Sequence, residues 1–453
     1  MTTSLYRLLA ELWDVAPGLV EVAEEAEEAT EDRRALWRER ADRVFLRVLR
    51  AFQTVGVTES HLSGSTGYGY DDAGRAALEA VFTRVFDAEA ALVRPQIVSG
   101  THALSLCLRA AVEPGDGLVS GTGRPYDSLL PQVGELERSG VVYREVPLGP
   151  RGEVAPERVV GAVAEAARAA RVALRPGRRP GGAPPRVGLF LQRSRGYELV
   201  PSRDLGLMER VIALARSAAE EEGVELVALV DNCYGEFVED REPTAVGADL
   251  VGGSLIKNPG GGLAPTGGYV IGRGPLVERA AELLTAPGLG RHVGPTLGLG
   301  RLLLQGLFLA PRAVGAALAG ATFAAAFLES LGLEVSPAWD EERTDIVQTV
   351  VLGSPEAVLA FARGVQAASP VDSTAVPVGA ALPGYADAVV MAAGTFVQGS
   401  SIEVSLDAPL RSPYAAYLQG GLTEAHLKAA VVLGTAELER AGLLDVFAHH
   451  RPE

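Results

Sequence analysis

Lys257 leaves an apolar run and enters a turn of small residues, in the stretch Gly253-Ser-Leu-Ile-Lys-Asn-Pro-Gly-Gly-Gly262. Upstream, Leu226 to Val230 is another apolar run that ends in Asp231-Asn232-Cys233-Tyr234-Gly235, with Asp231 twenty-six residues before Lys257. An aspartate and a lysine at the ends of two strands can hold pyridoxal 5'-phosphate (PLP). The lysine forms a Schiff base and the carboxylate pairs with the pyridine nitrogen, which makes the ring an electron sink. An ordinary surface lysine is the competing reading. Gly, Ser, Asn and Pro around Lys257, with almost no other charge nearby, argue against it.

Further polar residues fall where such a cofactor needs them. Ser99-Gly100-Thr101 opens a helical stretch that runs to about Val112. Small residues at a helix start present backbone N–H groups to a phosphate, although Ser-Gly-Thr is also a common cap. Ser254 can add a hydroxyl to the same phosphate. Tyr126 follows the run Gly117 to Ser120, in position to lay an aromatic ring on the cofactor; a packed loop tyrosine is the alternative. Gln192, Arg193 and Arg195 follow a run ending at Leu191. Gln192 is placed to hydrogen-bond the cofactor's phenolic oxygen, and Arg195 could equally be a structural ion-pair partner. His61, His102 and His292 lie near these loops without metal-ligand spacing, so no metal is expected. Gly260 to Gly262 lacks the strand–Gly-x-Gly-x-x-Gly–helix context of a dinucleotide site.

The elements that must position these residues read as α/β. Apolar runs at Gly117 to Ser120, Val141 to Val146, Val187 to Leu191, Val224 to Val230, Leu250 to Ser254 and Gly268 to Ile271 alternate with helical stretches. That pattern predicts a mostly parallel sheet covered on both faces. Residues 1–62 read as a helical segment, 63–297 as the large cofactor-binding domain, and 298–453 as a linking helix with a smaller α/β domain. Candidate strands there are Ile346 to Leu352, Asp387 to Ala392 and Ile402 to Leu406. The Pro/Gly/Arg-rich stretch 175–186 reads as a solvated loop, and His449 and His450 as part of a frayed tail.

The chain has 453 residues, 47% of them apolar and 22% charged, enough for two cores. A net charge of −16 disfavours nucleic acid or an anionic membrane as partner. Only Cys107 and Cys233 are present, and the first 18 residues carry charges in place of an apolar signal core; both point to a cytoplasmic protein. The apolar stretch Ala313 to Leu328 falls short of a membrane span, and Pro311 and Arg312 cut it off from the preceding run, so a buried helix is expected.

The motifs GSTGYGYDDAGR, VRPQIVSGTHAL, PYDSL, QRSRGY, VDNCYGEFVE, GSLIKNPGGGLAPTGGY, SPVDS, MAAGTFVQGSSIE and PYAAYLQGGLT, spread from Ser63 to Leu422, resemble the methionine gamma-lyase-related "aluminium resistance protein" group. That group is a branch of the Cys/Met-metabolism PLP enzymes of fold type I. The resemblance implies a large domain with a mostly parallel seven-stranded sheet, and a homodimer or homotetramer with shared active sites. In related gamma-lyases a tyrosine and an arginine on an N-terminal loop reach the partner's cofactor phosphate. Here that loop holds Tyr68 and Tyr70, and no arginine precedes Arg75. A substrate-carboxylate arginine is expected in the small domain, with Arg411 first and Arg343 second.

The implied activity is elimination of a γ-substituent, a thiol or halide, from an L-amino acid. Lys257 moves the Cα and Cβ protons, and Tyr126 serves the leaving atom, with Tyr68 the next candidate. β-Elimination, aldol-type cleavage, transamination and an alkyne-forming elimination from a chlorinated vinyl amino acid use the same constellation. A non-catalytic PLP-binding stress or metal-tolerance protein is the alternative of another class.

Overall fold

Two strands set the pattern of the large domain. Arg186–Gln192 (β4) and Glu225–Asp231 (β5) are buried at every position after the first. Along β5 the side chains alternate: Leu226, Ala228 and Val230 enter one core, Val227 and Leu229 another. A strand buried on both faces needs helices on both. The helices Pro156–Ala173 and Leu205–Glu221 cover the first face, and Gly100–Ala111 and Gly274–Leu284 the second.

The computed structural model describes residues 4–173, 184–201, 203–382, 385 and 387–444. Most of the Pro/Gly/Arg stretch at 175–186, and His449 and His450, lie outside the described residues.

With Ala90–Arg94 (β1), Gly117–Ser120 (β2), Val142–Glu145 (β3), Leu250–Ser254 (β6) and Gly268–Gly272 (β7), the two central strands form one sheet of order β1-β7-β6-β5-β4-β2-β3. All neighbours are parallel except β7, which runs against both β1 and β6. The sheet is thus the mostly parallel seven-stranded one expected, with β1 the strand that the apolar runs did not single out.

The second sheet is antiparallel in its recorded pairings. Its strands are Val335–Ser336 (β8), Val347–Val351 (β9), Gly379–Ala380 (β10), Val389–Ala392 (β11), Ser405–Pro409 (β12) and Ala415–Gln419 (β13), in the order β10-β11-β12-β13-β9-β8. Leu406, Ala408, Ala416 and Leu418 bury against the helices Pro355–Ala367 and Glu424–Arg440. β12 begins three residues later than the sequence pattern implies. Ile402 instead packs into the core of the large domain.

Gly300–Ser330 is a single 31-residue helix that continues through Pro311, the buried helix expected from the sequence. Proline costs the helix one backbone hydrogen bond at that turn. Burial on both sides holds it: Leu303 to Leu318 join the large-domain core, and Ala321 to Leu328 the small-domain core. Among the described residues this is the one helix long and apolar enough to cross a membrane, and most of it is buried inside the protein. Gly306 lets its backbone close on the turn after Lys257, since a Cβ there would stand 3.0 Å from the Gly260 carbonyl carbon.

The N-terminal helices divide between the cores. Leu5–Trp13 and Pro17–Ala29 pack on the small domain, while Glu31–Val55 lies along the long helix, with Trp37 Nε1 donating to Thr322 Oγ1 at 3.0 Å.

Candidate active site

Parallel α/β sheets place ligands at the carboxyl ends of their strands. Here those ends carry Ser120, Gln192, Asp231 and Ser254, with Gln192 and Asp231 direct neighbours across β4 and β5. Lys257 follows β6 by three residues. Its Nζ stands 3.7 Å from the centroid of the Tyr234 ring. Burial disfavours its charge, but Cys233, Tyr234 and Asp231 outweigh this and hold the amine above the usual lysine range.

Asp231 is buried, and its Oδ1 accepts from Cys233 N at 3.0 Å. Burial pushes its carboxyl up, against the opposing pull of Lys257 and the Cys233 N–H. The loop after it is fixed from below. Arg193, fully buried, donates to Asn232 Oδ1 and Gly235 O at 2.8 Å and to Glu239 Oε1 at 2.5 Å. Asn258 Nδ2 donates to Glu236 O at 2.9 Å, tying the lysine turn to the aspartate loop. Tyr234 sits in that loop with φ 69°, a left-handed conformation costly for a non-glycine residue.

Two other carboxylates near this region do other work. The Glu236 carboxyl is pushed up to about 8 by burial and accepts from Tyr269 Oη at 2.6 Å. Asp249 lies at the opposite end of β6, bound to Ala228 N and Arg216.

The helix Gly100–Ala111 begins against the end of β6. A Cβ on Gly100 would stand 3.3 Å from Cys233 Sγ and 3.4 Å from Ser254 Cβ, so glycine keeps this approach open. Ser99 Oγ accepts from His102 N at 3.1 Å as the cap. The first N–H groups of a helix have no partner within it, and their partial positive charge suits an anion. Tyr126 Oη donates to Thr101 Oγ1 at 3.2 Å, and Thr101 Oγ1 is 3.1 Å from Ser128 Oγ. Burial pushes the Tyr126 phenol up, and Asp231 and Cys233 add to the effect. Gln192 Nε2 donates to Ser194 O at 2.9 Å, while its buried Oε1 has no hydrogen-bond partner among the described residues.

This donor set fits pyridoxal phosphate. A buried carboxylate with lone pairs to spare, an amine one strand away, a ring beside them and an open helix N-terminus match the pyridine nitrogen, aldehyde, ring face and phosphate in turn.

The structure brings Lys257, Asp231, Tyr126, Thr101, Gly100, Ser99, Ser254 and Gln192 to one end of the sheet. Arg343 is fully buried, donating to Ala321 O at 3.0 Å and Gln348 Oε1 at 2.5 Å, and burial lowers it to about 9. Its Nε and Nη1 are buried without a hydrogen-bond partner among the described residues. Arg411 is half exposed. It pairs with Asp387 at 3.3 Å, donates to Tyr197 O at 3.3 Å and lines a cleft of about 460 Å³ with Tyr197 and Tyr417. Arg195 is a buried ion-pair partner of Asp345, at 3.4 Å across the domains.

Tyr68 and Tyr70 are exposed and stack on each other, with ring centroids 5.5 Å apart. Arg75 shapes their loop, donating to Gly69 O and Gly294 O at 2.7 Å. His61 and His102 make local contacts through Nδ1, to Thr58 N and Val98 N. Among the described residues no group of three His, Cys, Asp or Glu could hold a metal.

Sequence reasoning passed over Tyr234, Tyr197 and Asp407. Tyr234 and Tyr197 lie inside the VDNCYGEFVE and QRSRGY motifs, where an aromatic after a strand end was the available signal. Asp407 could be found only from strand register.

Residues 19–181 and 183–439 match the methionine gamma-lyase family. The chain belongs to that family, whose fold type I architecture it shares and whose cofactor is pyridoxal 5'-phosphate. The Bacillus subtilis protein YnbB is 43% identical over 406 residues, covering 88% of this chain and 91% of YnbB. A carbon–sulfur lyase involved in aluminium resistance from Clostridium novyi is 35% identical, with TM-score 0.86 over 97% of this chain and all of that one. A Listeria monocytogenes protein, provisionally named a cystathionine beta-lyase involved in aluminium resistance, is 43% identical, with TM-score 0.83 over 92% of this chain and 98% of that one.

Proposed function

We propose that this protein is a PLP-dependent carbon–sulfur lyase that eliminates a γ-substituent from an L-amino acid. The observation that carries this reading is the Lys257 amine held over Tyr234 beside buried Asp231, at the end of a sheet that also presents the Gly100 helix start. The bound cofactor supplies the electron sink for a carbanion at the substrate Cα. Asp231 provides the anion that keeps the ring nitrogen protonated, and Ser254, Gly100 and Thr101 provide donors to the phosphate.

Lys257, once its amine is free, is the base beside the cofactor that removes the Cα proton. Elimination at Cγ requires a second proton from Cβ, which the same amine would take by moving along the substrate face once it has handed the first proton on to the bound cofactor, which would supply the accepting carbon. A departing thiolate is stabilised by a proton from Tyr126, and general acid catalysis of this kind is worth roughly 10²–10⁴-fold. The hydroxyl chain Tyr126–Thr101–Ser128 offers a route by which that proton is replaced.

β-Elimination is the second reading, favoured by the name of the Listeria relative. Purified holoenzyme supplied with L-methionine, L-homocysteine and L-cystathionine decides between them. 2-Oxobutyrate from the first two marks γ-elimination, and pyruvate with homocysteine from the third marks β-elimination. Release of no 2-oxoacid from any amino acid tested would favour a non-catalytic PLP-binding protein.

The exposed Tyr68–Tyr70 pair supports a further part of the reading. Two stacked, exposed tyrosines suit a surface completed by a second copy of the chain, with each loop reaching the neighbouring copy's phosphate. Arg411, at the cleft beside Tyr197, is the arginine proposed for the substrate carboxylate.

A further inference from the structure

The strand register brings to the site a carboxylate that the reaction above does not use. Asp407 on β12 lies opposite Tyr417 on β13, and Ser405 lies opposite Gln419. Cross-strand partners share a face. Because Leu406 and Leu418 bury into the small-domain core, Asp407, Tyr417 and Gln419 must turn the other way, toward the large domain. Tyr417 there packs with Tyr197, and Tyr234 packs against the same small cluster of Val347, Ala415 and Tyr417.

Gln419 Nε2 donates to Asp407 Oδ2 at 2.7 Å, and the Tyr197 hydroxyl interacts with the same carboxyl. A carboxylate has about four acceptor positions, so some remain open. Among the described residues no arginine or lysine pairs with Asp407; burial raises its carboxyl, against the opposing pull of Gln419, Tyr197 and the charge of Lys257. The carboxylate is therefore on the active-site side of the domain interface. Its surroundings are aromatic: the Tyr197 ring is 5.3 Å from Tyr417 and 5.5 Å from Tyr385, and the Tyr234 face already carries one cation, the Lys257 amine.

From this arrangement we infer that Asp407, within its tyrosine walls, selects substrates whose side chain carries a positive charge, an ammonium or a sulfonium. Aromatic faces and a carboxylate partly removed from water attract a cation through both ring quadrupole and charge. A neutral side chain gains neither, and an anionic one is repelled. The inference rests on the lyase reading for its place in catalysis, but binding alone can test it.

The holoenzyme is titrated calorimetrically with L-lysine and L-norleucine, which differ in the terminal ammonium, and with S-methyl-L-methionine and L-methionine, which differ in the sulfonium. At least one cation is expected to bind about tenfold tighter than its neutral partner. The pair showing the preference identifies the charge as distal ammonium or departing sulfur. Asp407→Asn, close in shape and uncharged, is expected to bring the ratio to within about twofold. If that variant does not fold, Asp407→Ser gives the same ratio.

Equal binding within both wild-type pairs, or a preference unchanged by removing the carboxylate, would overturn the inference. In parallel, kcat/KM for S-(2-aminoethyl)-L-homocysteine and S-propyl-L-homocysteine should show the same loss of discrimination. If no 2-oxoacid forms from any substrate, the lyase reading fails, and the binding ratios alone then decide the role of Asp407.

Discussion

The Lys257 amine stands over the face of Tyr234, 3.7 Å from the ring centroid. The tyrosine is held there by an unusual backbone, φ 69°, and by the Arg193 contacts to Asn232 and Gly235 on either side of it. A cation on an aromatic face gains about 0.5–2 kcal/mol, depending on how far both are removed from water. The loop thus tunes the amine as well as placing it.

The first prediction follows from that contact. An amine captures the cofactor's aldehyde only when unprotonated, and the surroundings of Lys257 raise its pKa. Tyr234→Ala removes the ring that stabilises the ammonium, so its pKa falls. The pH midpoint for cofactor capture, followed by the visible absorption band as PLP is added to the apoprotein, should move to lower pH. A midpoint that stays or rises would show that Tyr234 does not stabilise the charge.

Lys257→Ala should abolish both the visible band and turnover. No other lysine stands at a strand end of the large-domain sheet. Borohydride reduction followed by peptide mapping should recover no PLP-labelled lysine from the variant. A label on another lysine would move the site.

Asp231→Asn should weaken cofactor binding and lower kcat by roughly 10²-fold or more, the scale of losing one preorganised electrostatic partner. Asp249 cannot compensate, since it is spent on Ala228 N and Arg216 at the far end of β6. Near-normal turnover would point to Glu236, the remaining buried carboxyl by the lysine turn.

Tyr126→Phe keeps the ring and removes the hydroxyl. A thiol-releasing substrate should lose most of its elimination rate, roughly 10²-fold or more. Exchange of the Cα proton with deuterated solvent should survive, and a halide substrate should suffer less. An equal fall in exchange and elimination for every substrate would make Tyr126 a positioning residue, and Tyr68 is the next hydroxyl to test.

Glu424 clasps the N-terminal helices through Arg34. Burial raises its carboxyl, but Lys428 and Arg34 more than offset this and hold it at about 2. A carboxyl depressed on folding contributes stability above its unfolded pKa of about 4.3. That contribution fades as pH falls toward about 2. Glu424→Gln should therefore lower Tm by roughly 2–4 °C at pH 7, and the gap should close in acid. A gap independent of pH would mean that packing, and not charge, is lost.

Lys257, Asp231 and the Gly100 helix start were legible in the sequence because each depends on local pattern. An apolar run names a strand, its end names the catalytic edge, and small residues after it leave room for a ligand. The parallel sheet was legible for the same reason, since strands buried on both faces leave unbroken apolar runs such as Leu226 to Val230. Local pattern failed where packing overrules it: Ile402 leaves its expected strand for the large-domain core. Tertiary structure alone decided which polar groups meet. Arg411 and Arg343 were first and second in sequence as the carboxylate arginine; the fold encloses Arg343 beside Gln348 and opens Arg411 on the cleft at Tyr197. Asp407 faces Lys257 because its antiparallel partner is Tyr417; a slip of one residue would turn it into the apolar core in place of Leu406.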